Sequence, residues 1–150
     1  MFTLVPVNFF DPSCARQALL EVAPLADTDK VSYKQIPRYS AVLVYNIPGR
    51  EDTPPGIFDL LQRLHTCSEY NKVLCTWQDG MLSIAIAQGK SLLLANEYKA
   101  PDFTTAQYFI FLAMKSLQLN PEVTTISFTH PLGAEEEMAL YRCFKAVEVL

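Results

Sequence analysis

Several kinds of chemistry have no motif in this 150-residue sequence. No GxSxG, HExxH, P-loop or GxGxxG pattern occurs, which excludes the nucleophile elbow, zinc-protease helix and Gly-rich nucleotide loop that those motifs encode. No apolar run reaches the roughly 18–20 residues that span a bilayer. Lys and Arg form no block, and twelve basic against sixteen acidic residues give a net charge of −4. The sequence therefore predicts no membrane span and no nucleic-acid partner.

Cysteine and targeting signals are equally sparse. The four cysteines (Cys14, Cys67, Cys75 and Cys143) are scattered without CxxC spacing, so no metal site is predicted from them. The apolar start of the chain, Met1–Phe10, lacks the basic flank of a signal peptide. These features predict reduced thiols in a cytoplasmic protein.

What the chain does contain is enough apolar sequence for a folded core. Half of the residues are hydrophobic and 19% are charged, which is typical of a globular domain or of two small subdomains. Apolar patterns in the first part predict these elements: strand Phe2–Phe10, a helix capped by Asp11 with Pro12 following and ended by Pro24, strands Val31–Ile36 and Ala41–Ile47, loop Pro48–Pro55, and a helix from Ile57 to His65.

The second part has a clearer pattern. Its predicted elements are strands Lys72–Trp77, Met81–Ala87 and Ser91–Glu97, helix Thr104–Leu119, strand Thr124–Thr129, a helix with Glu135–Glu137 in its first turn and Arg142 and Lys145 in its last, and a strand from Val147. Asp79-Gly80 predicts a tight hairpin. Thr104-x-x-Gln107 predicts a capping box. Since the long helix is apolar all round, we expect it to be buried on more than one side.

The order of these elements indicates the fold. Three antiparallel strands followed by strand–helix alternation are typical of the ribonuclease H-like unit from which actin-like ATPases are built. The pattern changes between Thr66 and Asn71. We therefore expect a mixed α/β sheet and two parts: residues 1–66 as the remainder of a first actin-like half, and 67–150 as a second ribonuclease H-like half.

Several stretches also resemble an uncharacterised bacterial family, catalogued as domain of unknown function 3822. They are Phe2–Pro6 with Asn8–Phe10, Leu43–Pro48, Ser91–Tyr98, Asp102-Phe103 with Tyr108-Phe109, and Leu117–Glu122. The resemblance implies an actin-like ATPase fold of two ribonuclease H-like halves and brings no established activity. Members have a further N-terminal segment and continue past the final strand, so we expect this chain to be an internal portion of such a protein.

The expected active-site positions carry few catalytic residue types. Ribonuclease H-type chemistry needs an acid in the first strand of the sheet, and Lys72–Trp77 has none. Nucleotide-binding actin relatives have paired glycines after the strand that matches Thr124–Thr129, whereas this chain has His130-Pro131. We predict no catalytic residue and no metal ligand. Weak candidates for holding a cofactor are Asp79, Gly80, Thr129 and His130. Trp77 is expected to pack beneath its hairpin.

Two functions follow from this pattern. The first is a non-catalytic interaction or scaffold module with a degenerate actin-like fold, with no cofactor and with a protein partner or a second copy bound by strand addition or by the face of Thr104–Leu119. The alternative is an actin-like protein that binds ATP with Mg²⁺, its site completed by segments outside this chain. A cryptic hydrolase is supported by no motif.

Overall fold

The computed structural model of the protein describes residues 1–47 and 55–150. The predicted loop Pro48–Pro55 therefore lies, apart from Pro55, outside the described residues. The helices and strands follow in this order: β1 (Phe2–Pro6), α1 (Ala15–Leu20), β2 (Lys30–Ile36), β3 (Ala41–Ile47), α2 (Gly56–Arg63), β4 (Asn71–Gln78), β5 (Met81–Gln88), β6 (Ser91–Lys99), α3 (Phe103–Ser116), β7 (Thr125–Phe128), α4 (Ala134–Tyr141) and β8 (Ala146–Val149).

The chain divides into two compact units, Met1–Phe58 and Asp59–Leu150. The expectation that residues 1–66 and 67–150 correspond to two actin-like halves stays a prediction. In the first unit, β1, β3 and β2 form an antiparallel sheet in that order. Its core is small: Leu19 of α1 packs with Val42 and Val44 of β3.

The first strand is shorter than predicted. β1 ends at Pro6 because its partner β3 begins at Ala41, which pairs with Pro6. Beyond that point Val7 donates its N–H to Ser40 O at 2.9 Å, and Val7–Phe9 form a 3-10 turn. The prediction of a strand through Phe10 is therefore wrong.

The helix after Asp11 is also shorter than predicted. Asp11 caps the chain as expected, since its Oδ1 accepts the Ser13 N–H at 3.0 Å. That bond begins a 3-10 turn over Pro12–Cys14, and α1 follows it. α1 ends at Leu20, before Pro24, so the proline does not set its end.

A five-stranded sheet forms the centre of the second unit, in the order β6-β5-β4-β7-β8. β4, β5 and β6 pair antiparallel, whereas β4, β7 and β8 pair parallel. β4 therefore lies where the antiparallel part meets the parallel part. This topology confirms the predicted three antiparallel strands followed by strand–helix alternation.

The core of this unit lies between the sheet and the helices. Ile110 of α3 and Leu140 of α4 are fully buried in one cluster with residues of β4, β5, β7 and β8. α3 is buried along one face only: Tyr108 is 61% exposed and Leu112 is 45% exposed. The expectation that α3 is buried on more than one side is wrong, because one face of the helix packs in the core and the opposite face, although apolar, is exposed.

Two predicted helix ends are corrected as well. α3 is capped by Asp102, whose Oδ1 accepts the Thr105 N–H at 2.7 Å, so the predicted capping box at Thr104 is wrong. α4 begins at Ala134 with three glutamates in its first turn, as predicted. It ends at Tyr141, so Arg142 is its C-cap residue and Lys145 lies beyond it. No helix among residues 1–47 and 55–150 is long and apolar enough to cross a membrane.

Candidate functional site

The carboxyl ends of β4 and β7 form the edge where a sheet of this kind binds ligands. Parallel β7 lies on one side of β4, with Cys75 opposite Phe128, and antiparallel β5 lies on the other. In open α/β sheets, ligands bind outside the carboxyl ends of strands where the connection pattern changes. We call the residues that follow these two strand ends the carboxyl edge: Thr76–Gly80 and Thr129–Pro131.

The turn at this edge has the predicted geometry. Asp79 and Gly80 have φ angles of 52° and 72°, and Gln78 pairs with Met81 across them. Both angles lie in the left-handed region, which Asp tolerates and Gly adopts freely. The turn closes the β4–β5 hairpin and presents an exposed Asp79 carboxylate to solvent.

Three polar side chains form a line of hydrogen bonds beside that turn. Thr76 Oγ1 and Thr129 Oγ1 form a short hydrogen bond, and Thr129 Oγ1 lies 2.9 Å from Nδ1 of the exposed His130. The Thr129 N–H also donates to Cys75 O at 3.1 Å. Thr129 is therefore engaged through both its backbone and its hydroxyl. We call Thr76, Thr129 and His130 the Thr-Thr-His chain.

These bonds decide which predicted residues come together. Thr129 bonds to His130 on one side and to Thr76 on the other. The Asp79-Gly80 turn lies at the same edge of the sheet. Sequence reasoning missed Thr76. A usable signal was present: β4 and β7 are expected to be parallel neighbours, so polar residues at their ends face each other.

Trp77 packs beneath the hairpin, as predicted. Its ring stacks on Phe103 with centroids 5.3 Å apart, and its Nε1–H donates to Ala100 O at 2.9 Å. The indole is thus held against the start of α3 and does not form an open aromatic platform.

The nearby carboxylates have structural partners. Asp102 is the cap of α3, and hydrogen bonds from the backbone and side chain of Thr105 hold its pKa below the ordinary value. Glu97 accepts a long hydrogen bond from Ser83 Oγ at 3.5 Å. Within residues 1–47 and 55–150, no group of three or more His, Cys, Asp and Glu side chains is placed to hold a metal ion.

The buried thiols are not activated nucleophiles. Cys67 and Cys75 are buried, Cys14 and Cys143 are exposed, and all four are free. Burial raises the pKa of the Cys75 thiol and that of Cys67. A thiol with a raised pKa stays protonated at neutral pH, and the thiolate is the reactive form.

An aromatic surface lies where β6 meets α3. The rings of Tyr98 and Phe109 stack with centroids 4.4 Å apart, and Tyr108 meets Phe109 edge-on at 5.3 Å. Leu112 follows Tyr108 one helical turn later, and both are exposed. We call these four residues the aromatic row. Exposed apolar surface of this kind marks interaction sites in soluble proteins.

Comparison with solved structures identifies the class of fold. A protein of Bacteroides thetaiotaomicron VPI-5482, described as having an actin-like ATPase fold and unknown function and solved at 1.85 Å, superposes with a TM-score of 0.81. The two chains are 16% identical, and the match covers 99% of this chain and 64% of that one. At that identity the similarity shows the fold alone. The chain has an actin-like ATPase fold and spans 64% of the length of its structural relative.

The family is shown by the sequence itself. The chain belongs to the family described as "Protein of unknown function (DUF3822)", whose model matches residues 56–145. The resemblance noted in the sequence is thereby confirmed. No curated protein matches the chain.

Proposed function

We propose that this chain is a non-catalytic interaction module with a degenerate actin-like fold. The observation that carries the proposal is the aromatic row, in which Tyr108 and Leu112 are 61% and 45% exposed on a helix of a folded unit. Aromatic side chains give large contact area at low cost in conformational entropy, so they are enriched at protein interfaces.

The carboxyl edge supports the same proposal. Phosphoryl or hydrolytic chemistry in such a site needs carboxylates that hold Mg²⁺ and N–H groups that hold phosphates. Here the ends of β4 and β7 carry Thr76 and Thr129, whose hydroxyls bond to each other, and the Thr129 hydroxyl also bonds to His130. These bonds join the two strand ends and involve no carboxylate, the ligand type that holds Mg²⁺.

We place this module in the bacterial cytoplasm as part of the proposal. The structural relative comes from a bacterium. The four cysteines are free, and exposed Cys14 and Cys143 suit a reducing compartment.

One observation favours the second candidate, an actin-like protein that binds ATP with Mg²⁺. The Asp79-Gly80 turn is tight, and the Cβ direction of Gly80 is open, with Pro101 Cα at 3.9 Å as its nearest neighbour. Backbone N–H groups of such a turn suit phosphate oxygens. The second loop fits less well, because Pro131 has no N–H and the Thr129 hydroxyl is already bonded to Thr76 and His130.

Thermal melting separates the two candidates. The chain is melted alone, with Mg²⁺, with Mg-tripolyphosphate and with millimolar Mg-ATP. A ligand that binds the native state at about 100 times its Kd adds about 2.7 kcal/mol of stability. We expect the same midpoint in all four conditions. A rise with Mg-ATP alone would overturn the proposal in favour of nucleotide binding, and a rise with tripolyphosphate as well would indicate an anion site at the turn.

A further inference from the structure

The outer edge of β6 exposes backbone groups that no strand covers. Among the described residues, β6 pairs with β5 alone. The Ala100 N–H donates to Gly80 O at 2.8 Å, which fixes the alternation of the antiparallel ladder. Tyr98 and Asn96 therefore form the hydrogen-bonded pairs with β5, and the N–H and C=O groups of Glu97 point outward, as do those of Ala95 and Lys99.

A side chain occupies part of this edge. The Glu97 N–H donates to Oδ1 of the preceding Asn96 at 2.9 Å, which independently places that N–H away from β5. The Asn96 amide is held in turn, since its Nδ2 donates to Tyr98 Oη at 3.2 Å. The stacked Tyr98 ring anchors the hydroxyl. An incoming strand replaces the amide oxygen with a backbone carbonyl, so the number of hydrogen bonds at Glu97 is conserved.

A β-bulge limits where a strand can be added. The register of β5 and β6 shifts between Ile86 and Ala87, which face Leu94 and Leu92. Leu93 is the extra residue. Bulges break the regular spacing of edge groups and protect edges from pairing. The register with β5 is continuous from Leu94 to Lys99, so regular pairing is confined to that part of the strand.

The charges of this segment favour a second copy of the same segment. If two copies pair antiparallel about a two-fold axis at Tyr98, Glu97 of each lies opposite Lys99 of the other. Opposite charges directly across strands stabilise a pair, and like charges destabilise it. Moving the axis to Glu97 would place two glutamates opposite each other. About this axis the self-complementary segment is Glu97–Lys99, because Asn96 and Ala95 lie opposite Ala100 and Pro101 of the other copy, and proline has no N–H.

The aromatic row extends across the same contact. With the axis at Tyr98, the two Tyr98 residues form a non-hydrogen-bonded pair, in which Cα atoms approach to about 4.5 Å. Tyr98 leans toward α3, as its stacking on Phe109 shows. The aromatic rows of the two copies then meet on one face of the joined sheet. An isologous contact of this kind closes as a dimer.

We propose that a second copy of this chain adds to β6 through Glu97–Lys99, antiparallel about Tyr98, and that the Asn96 amide releases the Glu97 N–H when the strand is added. The inference rests on the proposed function as an interaction module and names its partner. It requires no nucleotide.

Charge reversal tests the register. Glu97→Lys places Lys opposite Lys in the dimer, and Lys99→Glu places Glu opposite Glu. We expect each variant alone to associate on the order of tenfold more weakly than the wild type, since both Glu97–Lys99 pairs of the dimer change from opposite to like charge. An equimolar mixture of the two variants restores association as a heterodimer, as does the double variant Glu97→Lys/Lys99→Glu. Sedimentation equilibrium at low salt measures all four, and circular dichroism checks that each is folded.

Asn96→Ala gives a second readout. It frees the Glu97 N–H, so we expect several-fold tighter association, whereas the surface variant Arg142→Ala, at the end of α4 in a part of the chain next to the opposite edge strand β8, leaves association unchanged. A mixture of the two charge variants that stays monomeric, or single variants that associate like the wild type, would overturn the proposed register. Neither result would bear on Mg-ATP binding, which tests the proposed function separately.

Discussion

The carboxyl edge and the β6 edge of the same sheet satisfy their polar groups in different ways. At the carboxyl edge, the Thr76 hydroxyl bonds to that of Thr129, 53 residues away in sequence. At the β6 edge, the outward Glu97 N–H bonds to its immediate neighbour, Asn96. A bond between distant strands holds the fold, whereas a bond to the next residue can be exchanged without unfolding. In the proposed interaction module, the β6 edge is the one that meets a partner.

The largest effect is expected in the core of β5, the strand between β4 and β6. Ile84 of β5 is fully buried and pairs with Cys75 on one side and with Asn96 on the other. Ile84→Ala should lower the free energy of unfolding by about 3 kcal/mol, because it removes buried methyl groups and leaves a cavity. Urea denaturation measures it. Leu93→Ala, at the partly exposed bulge, should cost less than about 1 kcal/mol. Equal losses would contradict the placement of the core.

A smaller loss is expected at the carboxyl edge. Thr129→Val removes the hydroxyl that bonds to both Thr76 and His130, and leaves the Thr76 hydroxyl without that partner. We expect a loss of about 1–2 kcal/mol in urea denaturation. Thr76→Val combined with Thr129→Val should cost less than the sum of the two single losses, since both partners are then apolar. His130→Ala should change stability least, and strict additivity would show that the two hydroxyls do not interact.

The smallest effect concerns the cap of α3, which borders the aromatic row. Asp102→Ala should lower the melting midpoint, because the Thr105 N–H loses its acceptor, whereas Thr104→Ala should not. Hydrogen bonds from Thr105 lower the pKa of Asp102 below 3.8. The contribution of Asp102 is therefore complete above that pH and is lost as the pH falls through the lowered value. Acid titration of the wild type and of Asp102→Ala should converge at low pH. Equal effects of the two variants at neutral pH would favour Thr104 as the cap.

The strands and turns of the second unit were predictable because their signals are local. Alternating apolar residues and the Asp79-Gly80 step specify the β4–β5 hairpin without help from residues distant in sequence. The cap of α3 was predicted at Thr104 and is Asp102, because α3 begins at Phe103, whose ring stacks on Trp77 of a strand distant in sequence.

The remaining features depend on pairing that no local pattern encodes. β1 stops at Pro6 because β3 starts at Ala41, 35 residues further along the chain. The Thr76–Thr129 bond requires the parallel register of β4 and β7. Of the site residues predicted from the sequence, Thr129 and His130 are brought together, and their ligand-binding role stays a prediction.

Hydrogen exchange at both edges tests most directly whether this protein acts through β6. Exchange is followed by mass spectrometry at low and high protein concentration, and again with millimolar Mg-ATP. We predict that high concentration slows exchange in Glu97–Lys99 and that Mg-ATP changes nothing at Asp79-Gly80 or Thr129-His130. Slowed exchange at the carboxyl edge with Mg-ATP, together with an unchanged β6 at high concentration, would contradict the interaction module and favour a nucleotide-binding protein.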